Sequence, residues 1–119
     1  MGVLTSDVKG QFVDKLDEMI KLKGFVEIID GMILRIAINL LDDKLFSKIN
    51  PNYHDELNQA FIEFNNDELD EIPAILDDII AGEITTPIVD GDEVEKVLYE
   101  GLLTILVNLM EVYIIQKNG

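Results

Sequence analysis

The chain contains no cysteine and only one histidine. Without cysteine there is no disulfide framework, thiolate zinc site, iron–sulfur cluster or thiol nucleophile. One histidine cannot furnish the two Glu-x-x-His motifs of a helical di-iron centre. There is also no G-x-S-x-G elbow, Gly-rich phosphate loop or dinucleotide fingerprint, and most of the glycines stand singly. The expectation is a protein that is not an enzyme, with no catalytic residue, cofactor or metal. His54 in "NYHDEL" has Asp55 and Glu56 beside it. Adjacent helix residues point in different directions, so it reads as an exposed residue in a helix's first turn.

Long apolar runs are missing too. "MILRIAINLL" and "GLLTILVNLMEVYII" fall short of a span and carry Arg35, Asn39, Asn108 and Glu111. The start lacks a signal peptide's basic-then-apolar pattern. "MGVLTS" fits the loose myristoylation pattern through Gly2 and Ser6, and fits equally an ordinary start followed by a helix cap. The expected location is cytoplasmic, with no membrane partner.

The largest absence is of positive charge. The formal net charge is −15, and residues 51–95 hold fourteen acids with no Lys or Arg. Acids and bases nearly balance in residues 1–50 and balance in 96–119. Such a field repels nucleic acid and anionic membrane, and attracts cations or basic partners. No direct nucleic-acid binding is expected.

What is present is a core. At 119 residues and 48% apolar composition the chain suits one domain, 1–119, that needs no staples. Apolar periodicity predicts an all-α, five-helix bundle-like fold with helices at about 6–23, 25–49, 51–65, 70–81 and 93–116. Thr5 or Ser6 can cap the first, whose inner face is Val8, Phe12, Leu16, Met19 and Ile20. In the second, Asp30-Gly31 is also a hairpin signal, but no sustained alternation follows it. Asp30 would then project from the apolar side. Asn50-Pro51 opens the third helix, and Gly82 closes the fourth. Asp92 with Glu95 resembles a capping box before the fifth. "ILRIAINLLD" and "LLTILVNLME" agree in residue class almost throughout. Two long central helices that must be apolar all round explain that likeness.

The candidate site lies around "NNDELDEIPAILDD", residues 65–78. Glu63, Asp67, Glu68, Asp70, Glu71, Asp77 and Asp78 are the expected partner-binding residues. The dipole of a helix starting near Asp70 would favour Asp70 and Glu71, but not a basic-free block of this length. Crowded like charges cost stability that interspersed lysines would relieve. The reading is an interaction or regulatory domain that meets a basic protein surface. One alternative is a nucleic-acid mimic that inhibits a DNA- or RNA-binding protein. A second is weak Ca²⁺ binding, since "DGDE" at 90–93 echoes part of an EF-hand loop. The apolar excess on helices two and five also allows a homodimer, the commonest oligomer.

Overall fold

The computed structural model describes residues 2–22, 31–84 and 93–119. Every regular element among them is helical: α1 (Ser6–Leu22), α2 (Gly31–Lys44), α3 (His54–Asn65), α4 (Ala74–Ile80) and α5 (Glu93–Asn118). Two 3₁₀ turns, Phe46–Lys48 and Pro51–Tyr53, join α2 to α3. The chain is the all-α domain that the periodicity predicts. Asp30, Gly24 and Asp92 lie outside the described residues. Because Gly31 itself opens α2, the strand that a hairpin would need after Asp30 is a helix instead.

Local chemistry sets the boundaries. Thr5 caps α1, its Oγ1 accepting from the Val8 N–H at 3.2 Å. The Asn50 side chain accepts from the Asn52 N–H at 2.9 Å, with Pro51 following in the first turn. Three boundaries depart from expectation. The second helix stops at Lys44 rather than 49, and the chain tightens into a 3₁₀ turn that buries Phe46. Ile49 is then extended (ψ 150°), two residues before Pro51. The third helix is 3₁₀ over 51–53 and becomes α only at His54. The fourth begins at Ala74, not near Asp70, because Pro73 takes ψ 137° and occupies the cap position. A proline also biases the residue before it away from helix. Asp70 and Glu71 therefore lie in a bend ahead of α4, and the dipole account of them does not apply. Gly82 ends α4 at φ 78°, a conformation that side-chain-bearing residues rarely adopt.

α1 packs on α2, α3 and α5, while α5 also packs on α2 and α4. The centre is a run of aromatic contacts. Phe46 meets Phe61, Phe61 meets Phe12 edge-on at 5.1 Å, Phe12 meets Phe64, and Phe64 meets Tyr113 at 5.2 Å. Each such pair adds about 0.5–1.5 kcal/mol beyond the area it buries. Leu16, Ile38, Leu41, Leu57, Leu76, Ile79, Leu103 and Met110 complete a core with no solvent exposure.

One fully buried residue is charged. Asp42, on α2, accepts from the Val3 N–H at 2.6 Å and the Leu4 N–H at 3.1 Å, and pairs with Lys9 at 2.8 Å. Gly2 lies so close that a Cβ there would collide with the carboxylate. Asp42 thus ties the segment before α1 to the end of α2.

Burial on α2 and α5 corrects the reason given for their likeness. Leu34, Ala37, Ile38 and Leu41 are buried, as are the matching Leu103, Leu106, Val107 and Met110. Ile36 and the matching Ile105 are both about half exposed, at 54% and 53%. The two helices share a buried stripe and an outward apolar one, so complete burial is not the cause. "GLLTILVNLMEVYII" is part of a 26-residue helix that, by length and composition, is apolar enough to cross a membrane. Its inner face, Leu103, Leu106, Val107, Met110 and Ile114, is part of the core.

Candidate functional site

The seven carboxylates singled out by sequence do not act as one group. Asp67 is a joint within the fold. It closes α3 at φ 59°, in the left-handed region that Asp and Asn tolerate better than most residues. Its Oδ1 accepts from Lys15 Nζ of α1 at 2.8 Å and from the Tyr113 hydroxyl of α5 at 2.6 Å. Lys15 also donates to the Tyr113 oxygen at 3.0 Å and lies 5.0 Å from that ring's centre. Lys117 of α5 donates to the Asp67 and Leu69 carbonyls at 2.8 and 2.9 Å. Two lysines from the charge-balanced ends of the chain thus reach into the basic-free block and hold its junction to α1 and α5.

These contacts shift three ionisations. Hydrogen bonds from Lys15 and then Tyr113 hold the Asp67 carboxyl below its ordinary pKa. Burial opposes the charge on Lys15, but the Asp67 and Tyr113 bonds outweigh it and raise its pKa. Burial and the bond to Asp67 raise the Tyr113 phenol. The joint favours carboxylate, ammonium and neutral phenol together.

Asp70, Glu71 and Asp77 are brought together. With Glu111 of α5 they line an open groove of about 290 Å³, whose apolar lining is Ile72, Ile114 and Ile115. Among the described residues none of these four carboxylates forms an ion pair. Glu63, Glu68 and Asp78 lie outside the groove. Glu68 N–H bonds the Glu63 carbonyl, and the Asp78 carbonyl receives the Glu83 and Ile84 N–H groups after α4. Glu111 is the functional candidate that sequence missed. It belongs to a charge-balanced segment, and only the packing of α4 on α5 sets it opposite Asp77.

Carboxylates beside branched apolar side chains suit one kind of ligand group. A lysine or arginine can lay its methylene stem on an isoleucine and present its charged head to the carboxylates. Among the described residues no group of three or more acids and histidines is arranged to hold a metal ion. Most of "DGDE" lies outside those residues. His54 is half-buried rather than exposed, and its Nε2 donates to the Ile49 carbonyl at 2.8 Å, bracing the turn before α3. Compared with known protein families, curated proteins and solved structures, the chain has no match.

Proposed function

We propose that the protein is an interaction domain without catalytic activity, which docks a basic segment of a partner protein in the groove between residues 70–77 and α5. One observation carries this reading: Asp70, Glu71, Asp77 and Glu111 line one groove together with three isoleucines, and among the described residues none of the four pairs with a cation. The repulsion among them is offset when a partner supplies the cation. At an exposed groove the electrostatic gain lies chiefly in association rate and in rejecting acidic partners. Each surface pair adds at most about 1 kcal/mol, so affinity also needs the stem packed on Ile72.

The test compares two quadruple variants by calorimetry with a peptide of alternating Lys and Leu. One variant neutralises the groove (D70N, E71Q, D77N, E111Q). The other removes equal charge elsewhere (D7N, D14N, D55N, E56Q). Loss of binding in the first alone supports the groove. Equal loss in both reduces the acidic block to a general field and contradicts it.

A further inference from the structure

α5 has a second face, which meets the groove at Ile115 and otherwise runs away from it. Val94, Leu98, Ile105, Val112 and Ile115 are exposed on it, Val94 at 80% and Leu98 at 65%, with Val97 at 71% on the flank. Gly101 and Asn108 are exposed between them. Positions 94, 98, 101, 105, 108, 112 and 115 alternate steps of four and three residues. That is the spacing of a coiled-coil seam, here turned outward, and it runs nearly the whole helix.

Three observations identify the occupant. Gly101 sits in mid-helix, where glycine is unfavourable, yet a Cβ there would meet nothing within 4 Å. Nothing among the described residues gives a reason for a glycine there. A second helix crossing closely does. Secondly, the seven stripe positions carry no ionisable group on a molecule of net charge −15. It is a face where another copy of so acidic a chain can approach without charge meeting charge. Thirdly, six exposed branched side chains offering on the order of 100 Å² each approach the roughly 800 Å² per partner of a standard interface. Isolated exposed apolar residues are ordinary, whereas an aligned row of this size marks a contact.

We propose that this stripe is the seam of a homodimer, with α5 of one copy packed parallel to α5 of the other. In a parallel pair equal positions face each other. Gly101 meets its counterpart where the backbones come closest, and the two Asn108 amides hydrogen-bond in an otherwise apolar seam. A single polar seam residue of this kind fixes register. In an antiparallel pair centred on Ile105, Asn108 would face apolar positions instead.

Sedimentation equilibrium of the full chain, with L98E, G101L and I105E as variants, tests the seam. All three positions are remote from the groove's rim, and circular dichroism checks that each variant keeps the wild-type helical signal. The expected result is a wild-type dimer whose association weakens at least about 100-fold in each variant, since each places a charge or bulk in the contact. Added salt tightens the dimer by screening the repulsion between acidic copies, opposite to its effect on docking in the groove. The cysteine-free background makes N108C a clean probe: it forms an interchain disulfide in the parallel pair. A wild-type monomer at 100 μM overturns the proposal. A dimer untouched by the three variants places the contact elsewhere and overturns it too. So does a dimer that links through I105C but not N108C, which reverses the register. Co-flotation of wild-type protein with zwitterionic vesicles, lost in L98E and I105E, makes the stripe a membrane contact instead.

Discussion

The Tyr113 hydroxyl donates to Asp67 Oδ1 at 2.6 Å, across 46 residues of sequence, and the same carboxylate oxygen receives Lys15. That relationship converts the most acidic stretch of the chain into two parts with different duties. Asp67 fastens the α3–α4 junction, and Asp70, Glu71 and Asp77 are left facing outward with Glu111. The division yields separate expectations for stability and for binding.

Removal of Asp67 lowers stability through two causes that can be separated. Asp67→Ala loses the bonds to Lys15 and Tyr113 and places alanine at positive φ, costing about 2 kcal/mol. Asp67→Asn keeps an acceptor and tolerates that φ, costing about 1 kcal/mol after allowance for solvent screening. Urea denaturation measures both, and equal losses would contradict the backbone part of this account.

The same joint sets a pH window. Asp67 titrates lower in the fold than in the unfolded chain, so its contribution is full above the unfolded value of about 4 and is lost as pH falls towards the folded value. Lys15 and Tyr113 titrate higher in the fold. Their contributions are complete below about pH 10 and are lost as pH rises towards the folded values. Thermal midpoints across pH should therefore fall at both ends. Asp67→Asn should flatten the acid limb relative to wild type, and an unchanged acid limb would count against the pairing.

Adjacent aspartates on α2 should differ sharply. Asp42→Ala strands two backbone N–H groups and the Lys9 ammonium in a buried place, costing about 3–5 kcal/mol. Asp43 is exposed, and Asp43→Ala should stay within about 0.5 kcal/mol. Chemical denaturation of the two variants is the check, and similar losses would show that the Asp42 clamp is not what holds the segment before α1.

Gly101→Ala should act with opposite signs on folding and association. In an I105E background, where the chain is a monomer, it should stabilise α5 by about 0.5–1 kcal/mol. In the wild-type background it should loosen the dimer, because the added methyl stands between the two backbones. Thermal melts of the first pair and sedimentation of the second distinguish the two effects.

The parts of the fold legible in the sequence are those set by local spacing. The periodic apolar faces of α1, α3 and α4, the Asn50-Pro51 start and the Gly82 stop follow from residues within a turn or two. Apolar spacing alone extends the fourth helix back to about 70, whereas Pro73 in the cap position starts it at Ala74. What was illegible depends on distant partners. Asp42 is in sequence only a polar residue after an apolar run, until Leu4, 38 residues away, supplies its N–H. Asp67 reads as surface until Lys15 and Tyr113 arrive, and Glu111 joins the groove only because α4 packs on α5. The outward stripe of α5 was present in the spacing. Apolar residues all round a helix, however, do not say which face meets its own chain.

The groove is tested most directly by chemical-shift mapping of isotope-labelled protein during titration with the alternating Lys–Leu peptide at low salt. The account predicts saturable shifts concentrated at residues 70–77 and 111–115, abolished by the groove-neutralising variant and weakened by added salt. Shifts spread evenly along 51–95, or persisting in that variant, would contradict it.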